Sequence, residues 1–225
     1  MSSSGGTGVF EGDHGRCVIV AASEHDVELA IAALPAPERV RAAALSGSRR
    51  REMLAGRAAL RAVLADMAGA AAAREPIVAD DRGAPVLPVG WVGSISHKGA
   101  HAAAIVTPDV GARIGVDLEV AAPPRLDIGG RVLTVRERAA LAPLDPVAYG
   151  RAVTLRFAIK EAIYKAVDPF VRRYVGFTEV ELDLASDGHC EVIVLDPVRL
   201  PVTVDARWRE IDGHWFATAR ATRRA

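Results

Sequence analysis

Apolar residues recur along the chain with two periods, about 3.6 in some stretches and about 2 in others, and the switches between them mark out the elements. Residues 16–22, RCVIVAA, predict a strand, and residues 24–33 a short helix beginning near Ser23. From about 36 to 73 the pattern is helical and rich in Ala, Leu and Arg, with an interruption around Ser46-Gly47-Ser48. After that break, Met53, Leu54, Leu60, Val63, Leu64 and Met67 form the expected core stripe, and Arg49 and Arg57, eight positions apart, share roughly one face. ADDRGAPVLPVG is turn and extended chain, and WVGSISH and HAAAIVT predict a hairpin around Lys98-Gly99.

The segment TPDVGAR, 107–113, reads as a junction between two halves. Beyond it comes a strand, ARIGVDLEVA, that places Ile114, Val116 and Leu118 on one face and Asp117 and Glu119 on the other. A Pro-containing loop follows, then a helix from Thr134 whose TVRE matches a capping box. A longer helix over about 147–167 carries an apolar stripe of Leu155, Ile159, Ala162, Ile163 and Ala166, with Phe157, Glu161, Tyr164 and Lys165 on another face. The last sixty or so residues alternate as antiparallel strands. The expected organisation is a flexible tail over 1–14, an N-terminal half over 15–108 and a C-terminal half over 109–225, each half with helices and strands.

Composition narrows the picture. Half of the 225 residues are hydrophobic and a quarter are charged, as in an ordinary globular protein. Lys plus Arg equals Asp plus Glu at 28 each, so no global field draws the chain to nucleic acid or anionic lipid, and any bound anion must be held by a local cluster. No run of ~18 apolar residues predicts a membrane span. The opening MSSSGGTGVFEGDHG lacks an apolar signal core, and Cys17 and Cys190 are read as reduced thiols of a cytoplasmic protein. The basic residues are 25 arginines and only three lysines, Lys98, Lys160 and Lys165, and a compact ammonium differs from a guanidinium fork as a phosphate partner.

Four groups carry candidate chemistry. Like charges at neighbouring same-face positions repel, so Asp117 and Glu119 belong either to a solvated edge strand or around a hard cation such as Mg²⁺. Glu161 and Lys165 are either a surface i,i+4 ion pair or a metal-side acid beside a phosphate partner. His97, at the end of GSISHKG, is a surface residue or a donor to a phosphate oxygen, aided by Ser96. Arg49, Arg57 and Arg82 are solvated charges or forks for a terminal phosphate.

Taken in order, an Arg-rich helix, SISHKG, IGVDLE and FAIKEAIYKA resemble the 4′-phosphopantetheinyl transferases over about residues 45–178. The nearer class is the larger, monomeric one serving siderophore, peptide and polyketide synthases. The resemblance implies transfer of the phosphopantetheine arm of coenzyme A to a serine of an acyl, aryl or peptidyl carrier protein, with release of adenosine 3′,5′-bisphosphate. It implies that Asp117, Glu119 and Glu161 ligate Mg²⁺, with Mn²⁺ as a substitute, and that Asp117, Glu161 and Lys165 are catalytic. Lys160 and Lys165 match the lysines of KExxxK, with Lys165 near the pyrophosphate. Ser96 and His97 match a pair that contacts coenzyme A phosphates, and Arg49, Arg57 and Arg82 match positions at the 3′-phosphate and adenosine end. Two departures stand out: Ala84 replaces a lysine common in GKP, and Ala158 a small polar residue. The fold implied is α/β (α+β), two similar halves with antiparallel sheets related by a pseudo-twofold, with coenzyme A in the cleft. The partners implied are apo carrier proteins or carrier domains of fatty-acid, polyketide or nonribosomal peptide synthases. Two rivals remain from the residues alone: an inactive module binding coenzyme A or carrier protein, and a Mg²⁺-dependent hydrolase of nucleotide pyrophosphates.

Overall fold

The computed structural model describes residues 8–21 and 27–224. The chain forms two compact units, residues 1–109 and 110–225, so the break falls inside TPDVGAR.

In the first unit, strands β1 (Phe10–Gly12), β2 (Gly15–Ala21), β5 (Trp91–Lys98) and β6 (His101–Pro108) build an antiparallel sheet in the order β1-β2-β6-β5. Between β2 and β5 lie helices α1 (Val27–Ala32), α2 (Ala36–Ala43) and α3 (Gly47–Ala73), then a small ribbon of β3 (Val78–Ala79) and β4 (Pro85–Val86). The expected start of the first helix near Ser23 lies outside the described residues. The break between α2 and α3 sits at Ser46-Gly47 as the pattern predicts, and α3 has a second one at Gly69, whose φ of 85° no helix accommodates. Ala59, Leu60, Val63 and Leu64 of α3 pack on Val18, Ala104 and Val106 of the sheet, and each large side chain so buried contributes about 1.5–3 kcal/mol.

The tail expected over 1–14 is not wholly a tail. Phe10, Glu11 and Gly12 pair with Cys17, Arg16 and Gly15, and the Arg16 guanidinium donates to the Glu11 and Asp66 carboxylates. Gly15, at the start of β2, lets that strand lie close on β6, since a Cβ there would meet the Val106 carbonyl oxygen at 2.5 Å.

In the second unit, β7 (Arg113–Val120), β8 (Val180–Leu184), β9 (His189–Val194), β10 (Val202–Ile211) and β11 (His214–Arg223) form an antiparallel sheet in the order β7-β11-β10-β9-β8. Helices α4 (Gly129–Val132), α5 (Val135–Leu141) and α6 (Pro146–Val171) lie between β7 and β8. The TVRE capping box is formed: Glu137 N donates to the Thr134 hydroxyl, and Thr134 N donates to the Glu137 carboxylate. α6 begins at Asp145, which accepts from Val147 N and Ala148 N, and Pro146 sits where a missing N–H costs nothing. Its predicted stripe, Leu155, Ile159, Ala162, Ile163 and Ala166, is the centre of the core against Val202, Ala206, Ala217 and Ala219. Among the described residues no helix is long and apolar enough to cross a membrane. Cys17 and Cys190 are buried thiols, and burial pushes the Cys190 thiol up to about 12.

Candidate active site

The acidic strand β7 is outermost in its sheet, yet Asp117 is only 5% exposed, which removes the solvated-edge reading. The cover is α6, and its closeness depends on a residue the sequence reading passed over. Gly115 lies two positions before Asp117, on the same face of β7. A Cβ on Gly115 would fall 1.9 Å from the Ala162 carbonyl oxygen, so only glycine lets the helix backbone settle directly on the strand. A lone glycine inside a strand pattern signals such an approach.

Ala162 follows Glu161, and this seating brings Glu161 and Lys165 over Asp117 and Glu119. The Lys165 ammonium donates to Asp117 Oδ1 at 2.8 Å and to the Val116 carbonyl at 2.9 Å. Burial first, and then the negative charges of Asp117 and Glu119, push the Glu161 carboxyl above the usual carboxylate range, while Lys165 pulls it back. Three carboxyl groups therefore share one neighbourhood with a single ammonium, and the surface i,i+4 pair does not describe them. Among the described residues, no three His, Cys, Asp or Glu side chains are drawn together as a metal cage. Lys165 holds the Asp117 oxygen that a cation would need.

Lys160 lies apart from this cluster. Its side chain is 1% exposed, and its ammonium donates to Glu137 Oε2 at 2.6 Å and to the Val132 carbonyl at 2.9 Å. A coenzyme A phosphate has no access to an amine closed in this way, so the expected ligand role is corrected to an internal one.

In the first unit the expected phosphate contacts separate. His97, next to last in β5, faces α3, its Nε2 3.8 Å from Glu52 Oε2. The two line a pocket of ≈ 190 Å³ with Ser48, Arg51 and His101. Ser96 points to the opposite face of β5, as strand alternation requires, and is buried, so its side chain does not join His97. Arg49 is exposed on α3, whereas Arg57 is 4% exposed and lies against the buried Glu38, Nε to Oε2 3.5 Å. Eight residues amount to two turns plus about 80°, which is enough to carry one arginine outside and the other inside. Burial lowers the Arg57 guanidinium pKa despite Glu38, as expected of a charge serving the interior. Arg82 is exposed in the Asp80–Ala84 turn, where the Asp80 carboxylate accepts from Arg82 N and Ala84 N. Sequence reasoning missed Arg51 and Glu52 because a helix so rich in charge gives no local sign of which side chains face a pocket, and His101 because it lies across the hairpin turn at the start of β6. It also missed Glu137, whose capping role was legible but whose burial against Lys160 was not.

Known proteins carry the same two-part organisation. Residues 36–107 match the 4′-phosphopantetheinyl transferase N-terminal domain, and residues 113–218 match the 4′-phosphopantetheinyl transferase superfamily. The 4′-phosphopantetheinyl transferase Npt of Nocardia iowensis is 32% identical over 197 residues, covering 80% of this chain and 85% of that protein. The 4′-phosphopantetheinyl transferase PptT of Mycobacterium tuberculosis is 32% identical over 156 residues, covering 68% and 67%. A holo-(acyl-carrier-protein) synthase from Bacillus anthracis, solved with coenzyme A, shows a looser likeness, with 26% identity, 48% of this chain and 92% of that one covered, and a TM-score of 0.37. The matched stretches take in the acids of β7, the charged face of α6 and the His97 pocket, and the chain belongs to the 4′-phosphopantetheinyl transferase superfamily.

Proposed function

We infer that this protein transfers the 4′-phosphopantetheine arm of coenzyme A to a serine of an apo carrier protein and releases adenosine 3′,5′-bisphosphate. The observation that carries the reading is the seating of α6 on Gly115, which gathers Asp117, Glu119, Glu161 and Lys165 in one place.

The attack of a serine hydroxyl on a diphosphate needs a proton acceptor for the hydroxyl and positive charge for the phosphate oxygens, and the rest is positioning. Glu161 suits the first task, because burial and its acidic neighbours raise its affinity for a proton. Lys165 suits the second. Its side chain is 27% exposed, and turning from Asp117 toward an incoming phosphate exchanges one anionic oxygen for another. The donor set fits Mg²⁺, or Mn²⁺ in its place, since three carboxylates in one neighbourhood supply the hard oxygen ligands such a cation takes. Asp117, Glu119 and Glu161 would hold it, and when bound it neutralises charge on phosphate oxygens. Asp117 would give up Lys165 to take part, so the ammonium and the cation are alternative partners of one carboxylate. In the first unit, the His97 imidazole and the Arg51 guanidinium offer donors around one small pocket suited to a phosphate group of coenzyme A. On this reading the partners are carrier proteins or carrier domains of fatty-acid, polyketide or nonribosomal peptide synthases, and the enzyme works as a cytoplasmic monomer.

The test is incubation with coenzyme A, Mg²⁺ and a panel of apo carrier proteins, read by intact mass. A carrier that gains one phosphopantetheine, with adenosine 3′,5′-bisphosphate formed in equal amount, is the expected result. Cleavage of coenzyme A without any carrier, or no mass gain across the panel, would overturn the reading.

A further inference from the structure

We propose that Lys160 is a positioning residue for the transfer reaction: its buried ion pair with Glu137 fixes the rotation of α6 and so aims Glu161 at Asp117. The inference rests on the transferase reading above.

The geometry begins with Glu137. Its Oε2 accepts from Thr134 N at 2.8 Å and from the Lys160 ammonium at 2.6 Å, and its Oε1 accepts from Leu182 N at 3.0 Å. One carboxylate therefore joins the start of α5, strand β8 and helix α6. Both side chains are 1% exposed, and Lys160 also donates to Val132 at the end of α4. A buried pair of this kind is poor evidence for net stability, but its bonds are intolerant of displacement.

Successive residues on an α-helix are about 100° apart, so Lys160 points away from Glu161 while sharing its backbone. Turning α6 by about 20° would move a side-chain atom some 6 Å from the helix axis by about 2 Å. That would break contacts of 2.6 and 2.9 Å at Lys160. The same turn would swing Glu161 from its acidic neighbours. On the other side Lys165 is held to β7 by a more exposed contact, one that a phosphate ligand would release. When Lys165 is withdrawn, the Lys160–Glu137 pair is the buried charged anchor in this part of the helix, the Arg151–Glu210 pair nearer its start being more exposed.

Two variants test this, Lys160→Met, which keeps the length and removes the charge, and Glu137→Gln, which keeps an acceptor and the volume. Each is assayed well below its own unfolding midpoint, with folding confirmed by circular dichroism. For Lys160→Met, kcat is expected to fall at least about tenfold while KM for coenzyme A stays within about twofold, with the same pattern but a smaller loss for Glu137→Gln. A readout independent of turnover is Mn²⁺ affinity by electron paramagnetic resonance in the presence of coenzyme A and without carrier, expected to weaken several-fold in both. If Lys160→Met does not fold, Glu137→Gln alone decides. A rise in KM that exceeds the loss of kcat would make Lys160 a coenzyme A ligand and overturn the proposal. Unchanged kcat and Mn²⁺ affinity in a folded variant would overturn it as well. A wild-type protein that modifies no carrier would remove the transferase reading first, a result distinct from either.

Discussion

Helices α3 and α6 hold equivalent places in their units, each a long helix on an antiparallel sheet, and both turn charge inward, but with opposite balance. On α3, Arg57 and Arg61 converge on one acid, Glu38, which also accepts from Ile77 N, so two cations share one carboxylate. On α6, Glu161 and Lys165 meet Asp117 and Glu119, so three acids share one ammonium. A buried excess of one sign costs stability in both places, but only the acidic excess on α6 is of the sign that a hard cation and a phosphate-bound partner would answer. The contacts with the sheet differ in the same sense. A Cβ on Gly56 of α3 would meet only the tip of the Ile95 side chain at 3.2 Å, while one on Gly115 would fall 1.9 Å from helix backbone.

The largest effect is expected at that backbone contact. Gly115→Ala should destabilise the protein by about 3 kcal/mol and abolish transfer, because neither β7 nor α6 can yield without parting the acids. Denaturant titration together with the mass assay reads both, and a stable, active alanine variant would contradict the seating described here.

Next is Glu161→Gln, for which transfer should fall by about 100-fold or more with the fold intact. Its stability carries a sign. A carboxyl whose folded pKa is raised stabilises the folded chain fully below the unfolded carboxyl range and loses that contribution as pH rises through the raised value. With no divalent cation present, Glu161→Gln should therefore match or exceed wild type at neutral pH, and the gain should vanish in acid. Urea titrations across that range check it, and a variant clearly weaker at neutral pH would contradict the repulsion inferred here.

Arg57→Met should lose about 2 kcal/mol, because Glu38 keeps Arg61 but forfeits a buried neighbour. An external ligand role would instead leave stability intact and raise KM for coenzyme A. His97→Ala should raise that KM about threefold to tenfold with little change in the unfolding midpoint. Smallest of all, Gly56→Ala should shift stability by less than about 1 kcal/mol, since better helix propensity offsets a contact with a flexible side-chain end. A large loss there would erase the contrast with Gly115.

The sequence was legible where short-range physics decides. The alternation of β7, the apolar stripe of α6, the TVRE cap and the break at Ser46-Gly47 all appear as read, because each is settled within one turn or one strand. The same periodicities cannot report depth. Phe10–Gly12 falls in the stretch expected to be a flexible tail, yet a neighbouring strand supplies its partners. Ser96 and His97 are adjacent in a motif and face opposite ways.

By itself, then, the sequence determined which residues line each face and which family of chemistry those residues suit, since both depend on spacing and side-chain type. Tertiary structure alone decided which charges are spent on the interior and which remain for a ligand. Lys160 and Lys165 stand five residues apart in one helix with the same chemistry. Only the packing of that helix between β7 on one side and Glu137 on the other makes the first an internal anchor and leaves the second within reach of solvent.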